Sequence, residues 1–178
     1  MSDETVGLSP VAEKFILHWG EMGSSWGINR TVAQIHALLY LSGKPMHAEQ
    51  ISAALSVARS NVSTSLRELQ GWGVVRVVHV LGDRRDHFES LRDVWEMFRI
   101  VLDERKRREF DPVLTMLREC ASRPDAKPTE TERIGAMLGF FESMSGAYDE
   151  ISKVPPSVLH GILRARGAIR KLLKGASR

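Results

Sequence analysis

The chain has 178 residues, a formal net charge of +3, and an apolar content of 43%. This composition supports a packed core and excludes a disordered chain. The single cysteine, Cys120, excludes an internal disulfide and a zinc site built from several cysteines. We expect a cytoplasmic protein, because no apolar run approaches the roughly 18–20 residues of a membrane span and the acidic start lacks the features of a signal peptide.

Apolar residues at helical spacing predict a first helix over Val11–Met22, with Pro10 suited to its first turn. The glycine-containing stretch Gly23–Gly27 is expected to break this helix. Asn29 is a suitable N-cap for a second helix, which carries a broad apolar stripe as far as Leu41.

A turn over Ser42–Pro45 leads to a short third helix, over about His47–Leu55, and then to a fourth. On the fourth helix, Val62, Leu66, Leu69 and Trp72 fall on one side. Short polar residues and two arginines occupy the remaining surface. The candidate set there is Arg59, Ser60, Asn61, Ser63, Thr64 and Arg67.

After this helix comes VVRVVHV, the most strongly β-branched run in the chain, then a charged turn, LGDRRD, and a short return strand, HFE. The order is helix, short helix, turn, helix, strand, turn, strand, which is the order of a winged helix-turn-helix. In that arrangement the second helix of the pair lies in the DNA major groove, and the hairpin wing follows the backbone or the minor groove.

A DNA-reading role explains the polar face of the fourth helix. Short Ser and Thr side chains let the helix approach the groove and donate to phosphates, while Arg59 and Arg67 can reach guanine edges or phosphates. The alternative is an ordinary solvated face. Such faces usually carry Glu, Lys and Gln, which occur here only near the helix end, at Glu68 and Gln70. We therefore favour DNA reading.

The tip of the wing places Arg84 and Arg85 between Asp83 and Asp86. We interpret one arginine as entering the minor groove while the other is held by an aspartate. The alternative is a surface ion-pair turn, which contributes little to stability. The sequence does not decide which arginine has which role.

The rest of the chain is predicted to be helical, with an interruption at Asp111–Pro112 and a linker, SRPDAKP. Thr129 and Glu132 have the spacing of a capping box for the helix that follows the linker. Pro155–Pro156 separates a last helix.

Residues 151–178 contain seven basic residues and no acid, so the remainder of the chain sums to −4. A basic amphipathic helix can contact an acidic partner or a membrane surface. We favour a dimerisation helix with a solvated basic face, because cations also suit the C-terminal end of a helix. The mixed-sign run DERKRRE, residues 103–109, is interpreted as a solvated helix face.

From Trp26 to about Ser90 the chain resembles the GbsR-type branch of the MarR-like transcriptional regulators, in WGINRTVAQIHALLYLSGKPMHAEQISAALSVARSNVSTSLRELQGWGVVRVVHVLGDRRDHFES. The segments NVS…LRELQGWG and GDRRDHFE carry most of the resemblance, which continues weakly through WEMFRIVLDERKRREFDPVLTMLREC. It implies a homodimeric DNA-binding repressor or activator whose terminal helices form the dimer. His47 and Ala58 depart from the family pattern, since a capping Thr or Ser is expected there, and such a loss typically costs ~1 kcal/mol.

Other chemistry finds no support in the sequence. The GWGVVR segment is not a dinucleotide loop, because a strand follows it. Cys120 has no partner motif and is expected to be a small buried apolar residue. None of the histidines belongs to an HExxH motif or a metal-ligand cluster. They are His18, His36, His47, His79, His87 and His160. We expect no enzyme activity, no metal and no cofactor.

Some members of the resembled branch respond to choline or related osmolyte precursors. A cage of aromatic side chains binds a quaternary ammonium group by cation–π attraction. The candidate residues for such an effector site, where the DNA-binding lobe meets the dimer helices, are Trp19, Trp26, Trp95 and Phe98. Aromatic residues at helical spacing are more often plain core.

Taken together, the sequence predicts a mainly α fold with a small β-hairpin wing. An N-terminal dimerisation helix (1–26) precedes a winged helix-turn-helix (27–90) and a helical region for dimerisation and effector binding (91–178). The predicted function is a homodimeric regulator, more simply a repressor, that binds an inverted repeat in double-stranded DNA and does not bind membranes. The alternative is a non-catalytic interaction protein whose basic C-terminal helix binds an acidic partner or a membrane surface.

Overall fold

The computed structural model describes residues 7–155 together with residues 158 and 161, and the chain divides into two units between Ile100 and Val101. The predicted last helix lies outside the described residues. In chain order the elements are α1 (Pro10–Ser25), α2 (Arg30–Ser42), β1 (Met46–His47), α3 (Ala48–Leu55), α4 (Arg59–Trp72), β2 (Val75–Val78), β3 (His87–Ser90), α5 (Val94–Arg105), a π-helical turn (Lys106–Phe110), α6 (Asp111–Ala121) and α7 (Pro128–Ser152).

Helix α2 is the centre of the N-terminal unit. Helices α1 and α4 pack against it, and α3 packs against α4. Each helix contributes the apolar side that its spacing predicts, so one core forms among them. Its most deeply buried members include Ile35, Leu38, Ile51, Val62, Leu66 and Leu69.

Helix α1 ends at Ser25, within the stretch Gly23–Gly27 that was predicted to break it, and three residues beyond Met22. Two of its glycines have a further role in packing. A Cβ at Gly20 would lie 2.7 Å from Gln34 Cγ, and a Cβ at Gly23 would lie 2.6 Å from Ala33 Cβ. The two glycines therefore permit close approach of α1 to α2.

The wing is part of a three-stranded antiparallel sheet with the order β1-β3-β2. The predicted hairpin is confirmed, with Val75 opposite Ser90 and Val78 opposite His87. Strand β1 was not predicted, since two residues are too short to show an alternating pattern. The mainly α fold with a small β wing is confirmed.

In the C-terminal unit the chain interruption falls where Pro112 predicts it. The π-helical turn ends at Phe110, and α6 begins at Asp111. Helix α7 packs against α6, and Phe110 contacts Phe141 with ring centroids 5.2 Å apart.

The predicted capping box of α7 is wrong. The helix begins at Pro128, and Glu130 Oε2 accepts the Lys127 N–H at 2.9 Å. Pro128 allows this earlier start, because a proline in the first helical turn leaves no N–H without a partner.

Candidate nucleic-acid interface

The structure separates α4 into the two faces that the sequence predicts. Val62, Leu66 and Leu69 are at most 2% exposed and anchor the helix in the core. Ser65 is also buried, at the boundary between the faces. All the candidate DNA-binding residues of this helix are exposed: Arg59, Ser60, Asn61, Ser63, Thr64 and Arg67. Burial of one face thus fixes the orientation in which the polar face meets the solvent.

Arg67 lies along the polar face of its own helix. Its Nε donates to the Ser63 carbonyl and its Nη2 to Thr64 Oγ1, each at 3.3 Å. These are long bonds between exposed groups, so the guanidinium exchanges them for other acceptors at little cost.

Arg59, at the first position of α4, is oriented by the preceding helix. Its Nη2 lies 2.8 Å from Glu49 Oε1. Ala58 makes no side-chain cap to α4, as predicted, whereas the expected loss of a cap at His47 is wrong. His47 caps α3 through a capping box in which its N–H donates to Gln50 Oε1 at 3.1 Å.

The two arginines of the wing differ in their surroundings. Arg85 donates from Nε and Nη2 to Asp83, with a shortest distance of 2.6 Å, and its backbone N–H donates to Asp83 Oδ1 at 3.0 Å. The guanidinium, and after it this N–H, hold the pKa of Asp83 well below its usual range. Arg84 is exposed, and it makes no hydrogen bond or ion pair within residues 7–155.

Two further features near this surface were not predicted. Arg76, exposed on β2, pairs with Glu89 directly across the wing at 2.6 Å. A polar cleft of about 200 Å³ lies between α4 and the start of α2, where Asn29 and Thr31 face Asn61 and Thr64. Residues so far apart in the sequence give no local signal that they share a surface.

The four aromatic effector candidates lie in the N-terminal unit in different settings. Trp19 is half-buried and stacks on Phe15 at 5.3 Å, while Trp26 and Phe98 are 44% and 48% exposed. Trp95 is half-buried in α5. The described cavities are lined by other residues.

The C-terminal unit contains a cavity of about 250 Å³ with a mainly apolar lining. Leu102, Phe110, Met144 and Tyr148 form much of it. The residues of the adjoining DERKRRE run are ion-paired, since Arg107 and Arg108 both contact Glu104 and Lys106 contacts Asp111. The interpretation of the run as a solvated helix face therefore fits only part of it, since Glu104, Arg105 and Lys106 are half-buried.

Neither a metal site nor a membrane helix is found in the part of the chain that the structure describes. No group of three or more potential ligands there has the arrangement needed for a metal ion. None of the helices in that part combines the length and the hydropathy that a bilayer crossing requires.

Comparison with known proteins also indicates a winged helix-turn-helix. The sequence model of the MarR family matches residues 26–86, which include α2, α3, α4 and the first part of the wing. The similarity to this family is confined to about a third of the chain, the part that contains the winged helix-turn-helix. The chain is 26% identical over 86 residues to the putative HTH-type transcriptional regulator YvaV of Bacillus subtilis (strain 168), covering 48% of this chain and 49% of YvaV. It thus matches about half the length of that relative.

Among solved structures, a crystal structure of a transcriptional regulator overlaps this chain with a TM-score of 0.62 at 21% identity. The overlap covers 80% of this chain and 96% of the other, so the fold is shared well beyond the wing. A MepR–DNA complex of S. aureus has a TM-score of 0.35 at 18% identity, covering 75% of this chain and 91% of MepR. The chain is therefore similar to the MarR family over residues 26–86 and to one putative transcriptional regulator over about half its length, and the first of these structures shows the same fold.

Proposed function

We propose that the chain is a homodimeric, sequence-specific transcriptional regulator, a repressor in its simplest form, of the GbsR-type branch. The observation that carries the proposal is the exposed polar face of α4, held outward by buried Val62, Leu66 and Leu69 and accompanied by an arginine-bearing wing. The sequence patterns of the helix and of the hairpin are independent of each other, and both elements fit a DNA duplex.

Under this proposal the exposed residues divide the work of recognition. Ser60, Asn61, Ser63 and Thr64 allow close approach and donate to phosphates or base edges, and Arg67 reads a base. Arg59 lies at the start of the helix, and the wing arginines contact the backbone or the minor groove. Arg84, without a partner within residues 7–155, is the more readily extended of the two, whereas Arg85 is held by Asp83.

The homodimer is supported by apolar side chains on α7. Met137, Phe140 and Met144 are each about half exposed, and so is Ile151. Their spacing of 3, 4 and 7 residues aligns them on one side of the helix. A second copy, related by a two-fold axis, is the commonest way to cover such a stripe. A monomer mass that stays constant with concentration in analytical ultracentrifugation would contradict the dimer.

Under this proposal the chain acts in the cytoplasm on double-stranded DNA and has no catalytic role. The family description, which is that of transcriptional regulators, supports this assignment. The test is selection of DNA fragments from a random library, followed by genome-wide binding. Enrichment of an inverted repeat is expected. Absence of any enriched motif would instead favour the interaction protein with a basic C-terminal helix.

A small-molecule effector is the part of the proposal that depends on the resemblance alone. Its chemical class is a quaternary ammonium compound related to choline, and its candidate residues are Trp19, Trp26, Trp95 and Phe98. Titration calorimetry with choline tests it. Absence of binding heat at millimolar choline would remove this effector and leave the DNA-binding proposal unchanged.

A further inference from the structure

Strand pairing brings two buried histidines together beneath the candidate DNA-binding surface. His47 of β1 is directly opposite His87 of β3. Their rings are perpendicular, with centroids 5.4 Å apart. Because His47 is 1% exposed and His87 is 7% exposed, the two imidazoles form a fixed contact rather than a surface encounter.

His47 is connected to the start of the recognition helix through one carboxylate. Its Nδ1 lies 2.9 Å from Glu49 Oε2, and Glu49 Oε1 lies 2.8 Å from Arg59 Nη2. An ionised carboxylate only accepts hydrogen bonds, so the short contact requires Nδ1 to carry a proton. A protonated Nδ1 has no lone pair with which to accept the Gln50 N–H, which lies 3.4 Å away, so in this tautomer the cap consists of the His47 N–H donating to Gln50 Oε1 at 3.1 Å.

His87 has the corresponding position beneath the wing. Its Nδ1 lies 3.0 Å from the carbonyl oxygen of Arg85 and must donate to it, because a carbonyl only accepts. Its Nε2, 3.7 Å from Asp83 Oδ2, makes no hydrogen bond to that carboxylate, so His87 restrains Arg85 through its main-chain carbonyl. Asp83 in turn holds the Arg85 guanidinium through two oxygens. His47 thus reaches Arg59 through the Glu49 carboxylate, and His87 contacts the main chain of Arg85 directly.

We propose that the His47–His87 pair is a positioning device that fixes Arg59 and Arg85 relative to each other for DNA binding. The positioning of the arginines does not depend on the proposed function. Its consequence, tighter operator binding, does. Arginine side chains lose rotamer freedom when they are immobilised. If the two arginines are already restrained in the free protein, DNA binding costs less side-chain entropy.

The first experiment uses the free, full-length protein. Nitrogen-15 NMR reports the tautomer of each imidazole and the order of each arginine Nε–H group. We expect the Nδ1–H tautomer at His47 and His87, and slow, ordered signals for Arg59 and Arg85. Replacing either histidine with Leu is expected to disorder both arginines, whereas Glu49→Gln, which keeps both histidines, is expected to loosen Arg59 alone.

Arg67 provides an internal control in the same spectra, because its contacts are confined to Ser63 and Thr64. Its signal should not change in any of these variants. If either His→Leu variant loosens only the arginine on its own side, the pair does not act as one device and the proposal fails. If neither arginine is ordered in the parent protein, the proposal fails as well.

The second experiment measures operator affinity. Asn places an amide donor near the position of Nδ1 and is also a good N-cap. We therefore expect His47→Leu and His87→Leu to weaken operator binding about tenfold and the Asn variants to remain within about twofold of the parent. Melting temperature is measured for each. If operator affinity falls only in proportion to the melting temperature, and the Asn variants do not restore it, the histidines have a purely structural role and the proposal fails.

These outcomes separate the inference from the proposed function. If the parent protein bound no DNA sequence, the proposed function would fail, and the NMR result would still decide whether the histidines position the arginines. Should a buried His→Leu variant fail to fold, Glu49→Gln decides instead. Its carboxylate is 37% exposed, and unchanged order at Arg59 in that variant would overturn the proposal.

Discussion

At the scale of single residues, Arg67 distinguishes base reading from general attraction to DNA. Its present contacts, at 3.3 Å to its own helix, are weak enough to be replaced by a guanine edge. Arg67→Ala is expected to weaken the operator complex by about 1–3 kcal/mol and to relax preference at one base position in each half-site. Affinity is measured for operator and scrambled DNA.

The matched control for that variant is Arg123→Ala. It removes an exposed cation of the C-terminal unit that is paired with Asp125 at 2.7 Å. This change should leave operator affinity within about 0.5 kcal/mol of the parent. Equal losses for operator and scrambled DNA in Arg67→Ala would assign Arg67 to phosphate contact rather than to base reading.

The wing arginines should behave differently from Arg67. Arg84→Ala and Arg85→Ala are expected to weaken binding to all sequences evenly and to flatten its salt dependence, because each contact with phosphate releases about one counterion. The slope of log affinity against log salt should fall by about one unit per arginine. An unchanged slope in both variants would exclude the wing from the DNA complex.

His36 makes the N-terminal unit sensitive to acid. Burial lowers the pKa of His36 from 6.5 to about 4, so the unfolded chain binds the proton first as the pH falls. Stability is then lost progressively below about pH 6.5. The expected loss between pH 7 and pH 5 is about 2 kcal/mol, measured by urea unfolding. His36→Gln should lack this component, and an equal pH dependence in both proteins would contradict the assignment.

At the scale of elements, the contact between α1 and α2 depends on a missing side chain. Gly23→Ala places a Cβ 2.6 Å from Ala33 Cβ, and neither atom can rotate away. We expect a loss of about 1–3 kcal/mol in the free energy of unfolding, as for other overpacked cores. Gly71→Ala is the control, because open space surrounds Gly71 within α4 and alanine there should stabilise by about 0.5–1 kcal/mol. Equal effects would show that helix propensity, and not packing, governs both sites.

The elements that the sequence predicts correctly are those whose signal is local. Helix α4 shows a 3.6-residue apolar period and the wing a β-branched run, so both were predicted with their candidate DNA-binding residues. Much of what was missed depends on contacts distant in sequence. The close approach of Gly23 to Ala33 and the pairing of His47 with His87 appear only once the chain is folded. The cap that His47 makes to α3 is local and was missed for another reason, since histidine is not among the usual N-cap residues. The exposed stripe of α7 has a pattern in the sequence, but the pattern does not name the surface that covers it.

At the scale of the whole molecule, the proposed two-fold dimer would fix the distance between the two copies of α4. Its half-sites are expected about one helical turn, ~10 bp, apart or a multiple of that, and in inverted orientation. Adding ~5 bp to the spacer turns one half-site to the opposite side of the duplex, which the second α4 cannot reach. Affinity should then fall at least about a hundredfold, to that of a single half-site, because several base contacts are lost at once. Gel-shift titration of the parent operator, the lengthened operator and an isolated half-site measures this, with a spacer of altered sequence and unchanged length as the control. Equal affinity at every spacing would show that each half-site is bound by an independent monomer. The proposed dimer would then be wrong, but the proposed contact of the winged helix with DNA would not be.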